Sequence, residues 1–240
     1  MRSARVVNTL VLTAHGSADP RSAESAHEVA ATICRMRRDV DVRVAFCEQT
    51  FPNLRDVLAG TGRNTAVVPL LLADAYHARV DIPALIAESG TDAIQAGVLG
   101  EDDRLVAVLR QRLTHAGVSQ LDSGVGVLVT AVGSSRPQAN ARTALVADYL
   151  AQHTRWTTTT AFATGPQPTL AQAADVLRER GATRLVIAPW FLAHGRITDR
   201  VAEFALAQGI SMSAPLGPHR LVADTVLDRF DQALERRAAA

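Results

Sequence analysis

The chain is written twice, and that constrains it more than any other feature. Thr9-Leu-Val-Leu-Thr-Ala-His-Gly-Ser17 returns as Gly126-Val-Leu-Val-Thr-Ala-Val-Gly-Ser134, an offset of 117 (126 − 9). Pro20 and Pro137 keep that offset. Ala45-Phe46 with Pro52 and Leu54 returns as Ala161-Phe162 with Pro168 and Leu170, an offset of 116 (161 − 45). Val67 to Leu71 resembles Val186 to Phe191, and Leu99-Gly100 returns as Leu216-Gly217. Landmarks in one order at nearly one spacing mark an internal repeat, so the 240 residues are expected to form two similar lobes. The polar stretch Gly117 to Ser123 is the expected seam, with lobes at 1–118 and 124–240.

Within each copy apolar runs alternate with helical patterns. Strands are expected near 8–14, 40–46, 66–72 and 93–98, with helices near 20–37, 53–59, 82–89 (beginning near Asp81 and Pro83) and 102–115. The second copy repeats this, with strands near 126–131, 157–162, 184–191 and 210–214 and long helices near 137–152, 169–180 and 219–237. The first long helix carries Ala23, Ala26, Val29, Ile33 and Met36 on one face. Strands that alternate with helices pair in parallel, because each crossover must return over the sheet. The expected fold class is therefore α/β: two similar lobes, each a four-stranded parallel sheet flanked by helices.

Composition excludes several classes. Lys and Arg number 25 against 24 Asp and Glu, so a net charge of +1 draws no nucleic acid in bulk. Two cysteines make neither a disulfide framework nor a metal cage. Cys34 reads as core and Cys47 as small packing. Residues 1–8 hold arginines but no apolar signal core, and no apolar run approaches the roughly 20 residues of a membrane span. A cytoplasmic protein with neither a nucleic-acid nor a membrane partner is expected, and a monomer, since one chain supplies both lobes.

The chemistry gathers at strand ends. The first strand stops at His15, the second at Phe46-Cys47-Glu48, and the third runs into Asp74-Ala75-Tyr76-His77. In a parallel sheet those ends share one edge, where open α/β folds bind ligands. His15, Glu48 and His77 can meet there although 62 residues (77 − 15) separate the histidines. Two imidazoles and a carboxylate suit a divalent first-row metal, and the same groups accept protons near neutral pH.

The segments LTAHGS, VAFCEQTFPNL and VVPLLLADAYHARVDIP strongly resemble the CbiX/SirB-type sirohydrochlorin chelatases, and the likeness extends over nearly the whole duplicated chain. That resemblance implies insertion of ferrous iron or cobalt into a tetrapyrrole, with His15 and His77 handling the metal and Glu48 assisting. The ion is then a substrate, and no permanent cofactor is implied. The tetrapyrrole partner, sirohydrochlorin, is rich in carboxylates. Arg21, Arg79, Arg136 and Arg196, with Ser17 and Ser134 at the two corners, are the candidates to hold it.

The copies differ where chemistry would be. Val132 replaces His15 and Thr164 replaces Glu48. His194 follows Pro189 by 5 residues, whereas His77 follows Pro69 by 8, so His194 either takes the place of His77 or, the favoured reading, is a residue of a shortened loop. Trp190 and Phe191 either wall a cleft or fill the core. Two other functions compete: a non-catalytic carrier of a tetrapyrrole or metal, and phosphate chemistry at His15. The second lacks a GxxxxGK[ST] or GxGxxG loop.

Overall fold

A computed structural model describes residues 8–239. Residues 1–7, which include the expected signal-free start, lie outside the described residues. The first sheet holds β1 (Asn8–Ala14), β2 (Val40–Phe46), β3 (Thr65–Pro69) and β4 (Ile94–Gln95) in the order β2-β1-β3-β4, every pairing parallel. The second holds β5 (Val125–Ala131), β6 (Thr157–Phe162), β7 (Arg184–Pro189) and β8 (Ser211–Met212) in the equivalent order β6-β5-β7-β8. The central strands are the apolar runs. Leu10, Val11 and Leu12 of β1 and Val127, Leu128 and Val129 of β5 are fully buried, as strands covered on both faces must be.

The helices are α1 (Pro20–Met36), α2 (Leu54–Ala59), α3 (Ile82–Glu88), α4 (Asp103–His115), α5 (Pro137–Ala151), α6 (Leu170–Glu179), α7 (Arg196–Ala207) and α8 (Arg220–Ala238). Their starts are written locally. Asp19, Asn53 and Asp102 accept backbone N–H groups of the first turns of α1, α2 and α4, and Thr169 with Gln172 forms a capping box on α6. Four local departures from expectation have physical causes. β3 and β7 stop early at Pro69 and Pro189, which have no N–H for the ladder. β4 and β8 shrink to two residues each, pairing only with Ala66–Val67 and Val186–Ile187, ahead of those prolines. A π-helical turn, His77–Asp81, precedes α3, so the helical path begins well before Asp81 and Pro83. And α7, which the sequence pattern does not call, forms with Val201 and Ala205 buried. Cys34 is exposed and so is no part of the core, whereas Cys47, Trp190 and Phe191 are buried.

The units of packing do not follow the expected seam at 117–123. One contains the residues up to Gly100 together with Arg220 onward; the other runs from Glu101 to His219. The last helix of each copy is exchanged. α8 packs on α1, β3 and β4, and α4 packs on α5 and β7. The exchange has its own hydrogen bonds. Arg229 of α8 donates from Nε to the Val98 carbonyl (3.1 Å) and from Nη2 to the Leu99 carbonyl (3.1 Å). Its repeat counterpart, Arg112 of α4, donates from Nη2 to the Leu216 carbonyl (2.8 Å). Residues 1–118 therefore contain a helix that belongs to the other unit and lack the one whose Val222, Val226 and Phe230 are fully buried.

Among the described residues no helix is long and apolar enough to cross a membrane. Residues 1–118 expressed alone are expected not to yield a folded monomer, as read by far-UV circular dichroism and size-exclusion chromatography. A chain joining residues 8–100 to 220–239 is expected to fold. Gly133 is expected to be intolerant of substitution. At φ +96°, a Cβ there would lie 1.7 Å from the Gly165 carbonyl oxygen. Gly133→Ala should cost more than about 2 kcal/mol in urea unfolding, while Gly90→Ala, in open space, should cost about 1 kcal/mol.

Candidate active site

β1 lies where the strand order reverses, between β2 and β3, and His15 is the first residue beyond it. Loops leaving adjacent strands part at such a switch point and open a crevice at the carboxyl edge. The corner after β1 is pressed against the loop after β2. Gly16 adopts φ +97°, and a Cβ there would lie 1.8 Å from the Glu48 carbonyl oxygen, so only glycine allows the approach. The two loops are then laced together. Cys47 N–H donates to the Ala14 carbonyl (3.0 Å) and Glu48 N–H to the His15 carbonyl (3.0 Å). Thr50 Oγ1 donates to the Ser17 carbonyl (2.9 Å) and accepts from Ser17 N–H (3.1 Å). This lacing sets Glu48 Oε1 3.1 Å from His15 Nε2. Gln49 Nε2 also donates to that oxygen (3.0 Å).

His77 arrives from the loop after β3, on the π-helical turn. Its ring lies against that of His15, with centroids 3.8 Å apart and planes tilted by 35°. On its other side, Nδ1 meets Asp81 Oδ2 at 2.5 Å. Tyr76, exposed, stands edge-on to the His77 ring at 6.0 Å. Two imidazoles thus face each other, and each has a carboxylate of its own.

The electrostatics follow from that stack. Burial holds the His15 imidazole below its ordinary value, and the neighbouring His77 lowers it further against the opposing pull of Glu48 and Asp81. Two cations about 4 Å apart repel by roughly 1–4 kcal/mol, depending on screening, which is how His77 disfavours a proton on His15. His15 Nδ1 is buried with no hydrogen-bond partner. Burial pushes the Cys47 thiol up to about 11, with Thr13 Oγ1 3.9 Å from its sulfur. Without a metal such a thiol stays protonated at neutral pH.

Among the described residues no three His, Cys, Asp or Glu side chains form a ready metal cage. The reason is visible in the contacts: Glu48 and His15 present their donor atoms to each other. The other candidates divide. The Ser17 and Ser134 hydroxyls accept from Asp19 N–H (3.0 Å) and Arg136 N–H (3.1 Å) at helix starts. Arg21 grips Asp19 through Nε (3.0 Å) and Nη2 (2.6 Å), and Arg79 grips Asp74 in the same way (3.0 and 2.6 Å). Arg136 precedes α5 and Arg196 opens α7. His194 is exposed in the loop after β7. Asp81 escaped the sequence reading, which took it only as a helix start. Its signal was the spacing of four from His77, which puts both on one side of a helical turn.

Compared with known proteins, the CbiX family model matches residues 9–116 and again 126–233. The chain belongs to the CbiX family. A sirohydrochlorin cobaltochelatase of Priestia megaterium is 24% identical over 213 residues, which is 82% of this chain and 68% of that protein. A sirohydrochlorin ferrochelatase of the same organism is 26% identical over 211 residues, 82% of this chain and 77% of that one. SirB from Bacillus subtilis, solved with Fe3+, matches in fold with a TM-score of 0.80 at 21% identity, covering 98% of each chain.

The second CbiX repeat keeps the corner with different side chains on it. Gly133 touches the Gly165 carbonyl as Gly16 touches that of Glu48, and Thr164 N–H donates to the Val132 carbonyl (3.0 Å). Val132 and Thr164 supply neither an imidazole nor a carboxylate. What remains is a cleft of about 590 Å³ whose lining includes Ser134, Ser135, Asn140 and Thr164.

A pH dependence follows for the metal-free protein. His15 binds its proton more weakly folded than unfolded, below the ordinary value of 6.5. Its contribution to stability is present above about pH 6.5 and is lost as the pH falls through the lowered folded value. Between about pH 7.5 and about pH 5.5 the melting temperature of the native chain should fall further than that of His15→Gln.

Proposed function

We propose that this chain inserts a divalent metal ion, iron or cobalt, into sirohydrochlorin. The observation that carries the reading is the His15–His77 stack at 3.8 Å, each ring backed by a carboxylate, at the carboxyl edge of the first sheet. The relatives named as cobaltochelatase and ferrochelatase support it.

In this reading the ion is a substrate, held briefly by the imidazoles and Glu48. A chelating site must grip an ion firmly enough to strip water and loosely enough to release it. Neutral imidazoles with one exposed, movable carboxylate meet both demands, and a complete cage would not. Glu48, 53% exposed, turns from His15 Nε2 to the ion. As the ion passes to the four ring nitrogens, two of them lose their protons. The imidazoles and carboxylate it leaves behind are the bases that take those protons. Iron and cobalt both accept these donors.

The substrate carboxylates call for guanidinium groups. Arg136 and Arg196 make no side-chain hydrogen bond or ion pair among the described residues and are the readiest to serve. Arg21 and Arg79 must first leave Asp19 and Asp74. Ser17 and Ser134 would contribute through the corners they shape.

The test is the absorption change of sirohydrochlorin with Fe2+ or Co2+, followed against the uncatalysed rate. Saturable acceleration is expected. His15→Ala and His77→Ala should each lower kcat/KM by about 100-fold or more, and Glu48→Gln by about 10-fold. Full activity in both histidine variants overturns the assignment, and binding without turnover makes the chain a carrier. His194→Ala should leave the rate within about twofold.

A further inference from the structure

We propose that Asp81 is the positioning residue of this site: it holds the Nδ1–H of His77 and so presents Nε2 to the ion. The inference rests on reading His77 as a metal-handling residue. Four observations carry it. First, the two groups are in direct contact: Asp81 Oδ2 lies within hydrogen-bond distance of His77 Nδ1, and a carboxylate there accepts an N–H. Second, Asp81 has no competing duty. It stands where a helix cap would, but its backbone is already helical and its side chain caps nothing. Asp19 and Asp102, at the starts of α1 and α4, do accept from backbone N–H groups. Third, the turn carrying both residues is anchored. Ala78 and Ile82 are buried, and Gln95 Nε2 on β4 donates to the Ala78 carbonyl (2.7 Å). Fourth, His77 Nε2 has no hydrogen-bond partner among the described residues.

The two carboxylates of the site therefore do opposite jobs. Glu48 lies on a loop, is more exposed than Asp81 (53% against 31%), and covers His15 Nε2, a nitrogen a metal needs. Asp81 covers the nitrogen of His77 that a metal does not need, and it rides on a packed turn. Holding one ring nitrogen fixes both the tautomer and the ring orientation of an imidazole ligand, and it strengthens the other nitrogen as a donor.

The test uses the whole chain with Asp81→Asn, Asp81→Ala and Asp81→Glu. Nitrogen-15 NMR of the metal-free protein, at a pH where imidazoles are neutral, reads the His77 tautomer. The native chain should show protonated Nδ1 and bare Nε2. Asn and Ala should shift His77 toward protonated Nε2, and Glu should restore part of the native signal. Co2+ alone, titrated by its visible absorption, should bind about 10- to 100-fold more weakly to the Asn and Ala variants, with melting temperatures near that of the native chain. If Ala fails to fold, Asn and Glu decide. A native His77 protonated at Nε2, or Co2+ binding within twofold in Asn, overturns the proposal. The outcomes separate from those for chelatase activity. A native chain that shows the tautomer and cobalt effects without turnover refutes the chelatase reading and leaves Asp81 as the positioning residue.

Discussion

The contact on which the site depends is one imidazole laid upon another. The rings lie with centroids 3.8 Å apart, and burial together with this contact biases His15 toward the neutral form, the one that binds metals. That bias needs a scaffold that does not yield. β1 and β3 pair from Thr9 with Thr65 to Thr13 with Pro69, so the segments that follow start side by side. The His15 corner is then fixed by a glycine that lets two backbones touch, and the His77 turn by a buried helix start and a bond from β4. The carboxylates act on a frame already set by backbone geometry.

The duplication shows how much of that frame is independent of the chemistry. In the second unit the strand order, the glycine corner and the bond across it, from Thr164 to Val132, are all retained. What differs is the side chains at this corner and the loop after the third strand, which is shorter and has no π-helical turn. The backbone hydrogen bond and the close glycine approach hold the corner with either His15 or Val132 ahead of the glycine. A solved structure only 21% identical likewise shares the fold, with a TM-score of 0.80.

The exchanged last helices make the two copies one folding problem. Arg112 and Arg229 occupy equivalent places in the repeat, yet each bonds carbonyls beside the other copy's final strand. Neither copy is a folding unit by itself, because each sheet lacks a cover without its sister's helix.

The alternation of apolar runs and helical patterns, read from the residues alone, determined the α/β class, the two parallel sheets and most of the elements. These properties are local: a buried parallel strand is apolar throughout, and capping residues stand at helix starts. The convergence of His15, Glu48 and His77 was legible for a related reason, since ends of neighbouring parallel strands share an edge whatever lies between them. The tertiary structure alone decided matters that depend on distant partners. The exchange of α4 and α8 was hidden because an amphipathic helix shows that it has an apolar face and not which sheet that face will cover. Arg21 and Arg79 are paired with Asp19 and Asp74 through side-chain rotamers that no spacing reveals. Asp81 reads as a helix start until the π-helical turn swings it onto His77, because a carboxylate's partner is chosen by a few ångströms of backbone path.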